Sequence, residues 1–101
     1  MKNQINFITK MSYQGQNQAE LQTAKIKNGF ESDEWLTFLQ AKTAGLKIKK
    51  GSHGVSVFKG FGKFDDKNKD GDRVVESRPL GFARVFNLDQ TEKLEVENVE
   101  N

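Results

Sequence analysis

An α+β fold is what this sequence predicts: two helices packed on one face of a small, mostly antiparallel β-sheet. Three observations point there. Hydrophobic periodicity is helical before Gly45 and alternates after it. Thr37-x-x-Gln40 has the spacing of a capping box, in which each side chain satisfies the other residue's free backbone donor. Turn-forming clusters then separate several runs of β-favouring residues.

Met1 to Gln16 is polar, and the apolar residues Ile5, Phe7 and Ile8 suit a short strand or a helix equally; residues 1–10 are expected to form a flexible terminus. Asn17 is positioned as the N-cap of a first helix reaching Asn28. Leu21, Ala24 and either Lys25 or Asn28 share one face of it, and Gly29 is its left-handed terminator. Trp35 and Leu36 precede the capping box and are expected to staple the start of a second helix. Phe38, Leu39 and Ala41 should face inward there, and Gly45 should end it.

Leu46 and Ile48 fall on one side of a strand, with Lys47 and Lys49 on the other. Gly51-Ser52-His53-Gly54 reads as a turn and Val55 to Phe64 as one long strand. Asp65 to Asp72 is a hydrophilic hairpin loop. A third strand starts near Arg73 and is interrupted at Arg78-Pro79; a fourth covers Leu80 to Asn87. On that fourth strand Phe82, Arg84 and Phe86 share one face and Gly81, Ala83 and Val85 the other. The sequence leaves open which face the helices cover. If it is the small-residue face, Phe82, Arg84 and Phe86 join the lysines as a stacking platform; if it is the Phe face, Arg84 is partly buried and needs an acid partner. Residues 93–101 are acidic and expected to be a flexible tail.

The 101 residues suit one domain, with eight Phe, one Trp and one Tyr available for its core. No apolar run approaches a membrane span, and no secretory leader is recognisable. Cysteine is absent, which excludes disulfides and thiolate metal sites and fits a reducing cytoplasm. The net charge of +2 hides an asymmetry. Residues 1–63 carry ten lysines against four acids, whereas residues 64–101 carry six basic groups against ten acids. Such unevenness favours an oriented approach to a polyanion.

Between Leu46 and Phe64 five lysines (Lys47, Lys49, Lys50, Lys59 and Lys63) are interleaved with aromatic and aliphatic residues, and no acid occurs. Lysines release counterions from phosphates, and aromatic rings stack on unpaired bases of any sequence. The five lysines are therefore the expected phosphate contacts, with Phe58, Phe61 and Arg84 stacking on bases. Five contacts imply a slope of about −3.5 for log K against log salt. Lys59-Gly60-Phe61-Gly62-Lys63-Phe64 shares chemistry with the base-stacking strands of RNA-binding folds, although any single Phe there also fits a core position.

Other constellations carry less. Asp66-x-Asn68-x-Asp70-Gly71 imitates the opening of a calcium loop, but Ser77 stands where a bidentate Glu is required. His53 is the sole histidine, so no transition-metal cluster and no nucleophilic triad is expected. Catalytic residues, cofactors, metals and a small-molecule substrate are all expected to be absent.

Two segments carry a family likeness. One is Trp35-Leu36-Thr37-Phe38-x-Gln40-Ala41, followed by Gly45 and by Ile48-Lys49-Lys50-Gly51-Ser52-His53-Gly54. The other is Val85-Phe86-Asn87-Leu88-Asp89-Gln90-Thr91-Glu92. With Tyr13-x-Gly15-x-Asn17 they resemble the N-terminal single-stranded-DNA-binding domain of ArdC-type antirestriction proteins and TraC-type primases, over residues 11–92. The resemblance implies an α+β fold and binding of single-stranded DNA without strong sequence preference. The family's usual continuation is a metallopeptidase domain with H-E-x-x-H; these 101 residues contain no such motif, and protease activity is not expected of them. Short copies of this domain resemble accessory subunits of primase-polymerases on mobile elements. The expected function is thus a non-enzymatic single-stranded-DNA-binding module with a DNA polymerase or primase as protein partner. The alternative is an interaction subunit that docks such an enzyme without touching DNA.

Overall fold

The computed structural model describes residues 2–94. It is an α+β fold with two α-helices and mostly antiparallel strands. The elements run β1 (Ile5–Asn6), α1 (Gly15–Asn28), β2 (Glu34–Thr37), α2 (Phe38–Thr43), β3 (Leu46–Ile48) and β4 (Val55–Phe58). They continue with β5 (Phe61–Lys67), β6 (Arg73–Pro79), β7 (Phe82–Asn87), a 3-10 turn (Leu88–Gln90) and β8 (Thr91–Lys93). The strands form three ladders. The main sheet has the order β1-β2-β7-β4, and β3-β8 and β5-β6 are separate two-stranded ribbons.

The core forms where α1 meets the main sheet. Leu21 of α1 packs with Trp35, Val57 and Val85, and Ala24, Phe30, Val55 and Ala83 surround them. Burying side chains of this size contributes about 1.5–3 kcal/mol each. Trp35 and Leu36 are strand residues at the centre of the sheet, fully buried, and not a staple ahead of α2. Asn87 and Phe86 on β7 are their ladder partners, and that pairing outweighs the local helix signal.

The N-terminal segment, expected to be flexible, is tied in at residues 4–6. β1 pairs with β2 in parallel, and Gln4 is fully buried. Its side-chain oxygen accepts from the Trp35 indole at 2.7 Å and its amide donates to Asp33 at 2.8 Å. Asp33 in turn meets the Lys25 ammonium at 2.5 Å. A buried indole N–H needs a partner, so the terminus is recruited as one.

The capping box at Thr37 and Gln40 forms as expected, with both reciprocal hydrogen bonds present. Ala41 faces inward, but Phe38 and Leu39 do not: they are 62% and 70% exposed. Six residues make under two turns, and one inward position is all that α2 supplies. α1 begins two residues before Asn17, with Gln14 as an N-cap that makes no side-chain bond. Gly29 terminates it in the left-handed region, as expected.

The expected strand from Val55 to Phe64 is broken. Gly60 and, across from it, Gly81 both adopt positive φ, +93° and +90°. The backbone still bridges there, from Lys59 N–H to the Gly81 carbonyl and from Leu80 N–H to the Gly60 carbonyl, each 2.8 Å. This paired kink ends β4-β7 and starts the β5-β6 ribbon, which continues past Asp65 to Lys67 and back from Arg73 to Pro79. The turn is therefore only residues 68–72, in which the Asn68 side chain accepts from the Asp70 and Asp72 N–H groups. The fold is long: its radius of gyration is 18.1 Å, against about 13 Å for a compact domain of 100 residues.

Asp33 generates a pH prediction. The Lys25 hydrogen bond holds its carboxyl below the ordinary value of 3.8, opposed by partial burial and assisted by Gln4. A depressed carboxyl contributes stability that is complete above its unfolded pKa and is lost as pH falls through the folded value. Asp33→Asn should cost about 1–3 kcal/mol at pH 7. Below about pH 4 it should lose stability less steeply than the wild type. Parallel acid-unfolding curves for the two proteins, followed by circular dichroism, would count against this network.

Candidate nucleic-acid interface

Side chains alternate along β7 and β4, so the sheet has two unlike faces. Register settles the question left open by the sequence. Val55 lies opposite Val85 and Val57 opposite Ala83, and these are the residues that α1 covers. Phe82, Arg84 and Phe86 consequently point to the other side, together with Phe58 and Ser56. At the β2 end of that side Leu36 is buried and Phe86 half-buried, and α2 lies close to β2 and β7. The β4 end is bare.

Three phenyl rings occupy the bare end. Phe58 is central, with its ring centroid 5.2 Å from that of Phe61 and 5.5 Å from that of Phe82. The contacts are steep, at 72° and 59°, which is the edge-on geometry that aromatic quadrupoles favour. Phe61 is 65% exposed and Phe82 70%. Gly60 makes this cluster possible, since the kink swings Phe61 back over Phe58. Neither outer ring serves the core, and together they offer a ridge of exposed π surface.

Asn17 fixes the central ring. Its side-chain oxygen accepts from the Phe58 N–H at 2.9 Å, and its amide donates to the Phe58 carbonyl at 2.8 Å. The amide imitates one residue of a neighbouring strand, and that engagement leaves Asn17 no role as a helix cap. Tyr13, from the same early element, packs on the core; its hydroxyl accepts from Asn6 at 3.0 Å, and burial pushes its pKa up.

The expected lysine strip divides in two. Lys59 sits between Phe58 and Phe61 in the chain, and Lys63 shares the Phe61 side of β5. Both are exposed and make no ion pair among the described residues. Arg84 is also exposed; its aliphatic stem lies over Gly54, where an added Cβ would come within 2.3 Å of it. Lys47, Lys49 and Lys50 belong to the β3 region, and among the described residues β3 pairs only with β8. Lys47 faces Glu92 across that ladder at 3.7 Å. Lys49 lines an open groove of about 680 Å³ with Lys27, His53 and Asp89, against the helix that covers the opposite sheet face. The helix covers the small-residue face, the condition under which Phe82 joins the stacking residues; its pairing with Phe58 depends on register, which single-strand patterns do not reveal.

Residues 2–98 match the family described as the N-terminal domain of anti-restriction factor ArdC. The chain belongs to the ArdC N-terminal domain family. The metal-free crystal structure of antirestriction ArdC from plasmid R388 superposes with a TM-score of 0.79 at 27% identity, over 93% of this chain and 34% of that one. The Mn(II)-bound structure of the same protein gives 0.66 at 27% identity, over 92% of this chain and 35% of that one. The chain thus spans about a third of the ArdC protein it resembles. No match was found among curated protein sequences.

Much of the ArdC signature proves to be scaffold. Asn87 and Gln90 form a second reciprocal cap around the 3-10 turn. Asn87 also donates to the Ser32 carbonyl at 2.9 Å, Asp89 accepts from Glu31 N–H at 2.6 Å, and Gln90 donates to the His53 carbonyl at 3.0 Å. These bonds hold the 51–54 turn and the α1–β2 loop to the end of β7. His53 takes part through its backbone. Among the described residues, no group of three or more His, Cys, Asp or Glu could hold a metal, and no helix is long and apolar enough to cross a membrane.

Asn17→Ala should free the β4 end and cost about 1–3 kcal/mol through the two unpaired Phe58 backbone groups. Amide exchange at Phe58 should accelerate while that at Val85 stays slow. Unchanged protection at Phe58 would show that Asn17 does not hold the ring cluster in place.

Proposed function

We propose that this ArdC N-terminal domain is a non-enzymatic module that binds single-stranded DNA on the Phe58–Phe61–Phe82 ridge. The observation that carries the reading is the exposure of the two outer rings beside unpaired cations. Bases can stack on Phe61 and Phe82, each contributing about 1–3 kcal/mol. Lys59, Lys63 and Arg84 lie close enough along the chain and register to neutralise phosphates on either side. Lys47, Lys49 and Lys50 form a separate, secondary basic region. In the cytoplasm such a module suits an accessory subunit that keeps template beside the replication or priming polymerase of a mobile element. Tethering makes even a weak strand-binder effective.

A second reading has its own observation. Phe38 and Leu94 flank an apolar notch of about 170 Å³, lined also by Ala41, Leu46 and Ile48. With Leu39 exposed next to it, this surface suits docking to the partner enzyme. The two readings use different parts of the molecule and are compatible.

Fluorescence anisotropy with labelled single-stranded and duplex DNA tests the first. Single-stranded DNA should bind more tightly, and Phe82→Ala should weaken it roughly tenfold, the equivalent of about 1.4 kcal/mol. Three phosphate contacts give a salt slope of about −2, against about −3.5 if all five lysines engage. Equal affinity for Phe82→Ala and wild type would exclude the ridge, and the steeper slope would restore the β3 lysines to the site.

A further inference from the structure

The β5-β6 ribbon is long, exposed on both sides and unused by the core. Its seven paired positions extend about 23 Å from the kink. Its two faces differ in chemistry. On one, Arg78 stacks on Phe64 with its guanidinium carbon 5.2 Å from the ring centroid, and it also meets Glu76 at 2.7 Å and Asp66 at 3.9 Å. That face is self-satisfied, and its acids outnumber its one cation.

The other face begins with Phe61 at the ridge. Moving outward, Lys63 lies opposite Ser77, Asp65 opposite Val75, and Lys67 opposite Arg73. Asp65, the acid on this face, is held by two hydrogen bonds from Arg73, at 3.2 and 2.6 Å. Its charge is thereby cancelled within the ribbon. Lys63 and Lys67 keep theirs, with no ion pair among the described residues. They stand four residues apart, about 13 Å along the strand, with the exposed Val75 between them on the partner strand. Beyond Lys67 the turn carries Asp70 and Asp72 against Lys69, which closes the favourable stretch.

We infer that the Phe61 face of this ribbon continues the single-strand site outward, with Lys63 and Lys67 on phosphates and Val75 under a base. The inference rests on the ridge being the binding platform. It adds a direction to it: the bound strand leaves the rings along β5 towards the hairpin turn and does not cross to the β3 lysines. A strand bound along both would also bridge the ribbon to the sheet, which among the described residues are joined through the Gly60–Gly81 backbone bonds and the Phe58–Phe61 contact.

Oligonucleotide length separates the two claims. Anisotropy titrations would use oligothymidylates of about 5 and about 16 nucleotides, spanning the usual site sizes of single-strand-binding folds. Phe82→Ala should weaken both. Lys67→Glu/Val75→Glu, at exposed positions where folding is not at stake, should weaken the long oligonucleotide about tenfold and leave the short one unchanged. Lys67→Ala should reduce the salt slope for the long one by about 0.7. Equal losses at both lengths, no loss on the long one, or a loss confined to duplex DNA would overturn the ribbon assignment while the ridge stands. If Phe82→Ala leaves both lengths unaffected, the ridge fails and the ribbon with it.

Discussion

The structure depends on the strict alternation of side chains in β7 and β4 against a single covering helix. Leu21 presses on Val57, Val85 and Trp35, and that contact assigns the small residues of both strands to the interior. Phe58, Phe82 and Arg84 have then no choice of side. A slip of β7 by one residue would turn Phe82, Arg84 and Phe86 towards α1 and carry Val85 to the other face. The exposed ridge is thus a consequence of how the core is made. Its cost is the apolar surface of Phe61 and Phe82 left in solvent.

The second constraint is the kink at Gly60 and Gly81. A continuous β4-β5 strand would have carried Phe61 away from Phe58 by the normal rise of the chain. The paired left-handed glycines fold the ribbon base back, so ring contact and ribbon projection have one cause. Any side chain at either position would meet the conformational penalty of positive φ. Asn17 completes the arrangement from α1, by supplying a strand-like partner to the backbone of the central ring.

Much of this was legible in the sequence. The capping box at Thr37, the stop at Gly29, the alternation after Gly45 and the aromatic content of β7 all reported local physics, and local physics prevailed. The failures share a different cause. Trp35 and Leu36 looked like a staple because their ladder partners lie some fifty residues away on β7, invisible to any short window. Asn17 looked like a cap because Asn is a good one, yet a more distant backbone claimed its side chain. Lysines counted as one strip separated because the chain turns at Gly51–Gly54 and carries β3 to a different ladder. The residues that bear the proposed chemistry were nearly all named, apart from Val75 and Lys67; their grouping had to await the register.

Nuclear magnetic resonance with selectively labelled phenylalanine tests the central claim most directly. On titration with a single-stranded oligonucleotide, the ring signals of Phe58, Phe61 and Phe82 should move together, and the Trp35 indole on the α1 side should stay still. Shifts confined to Lys49, His53 and the α1 groove, with the three rings silent, would place the strand on the wrong face and contradict the account.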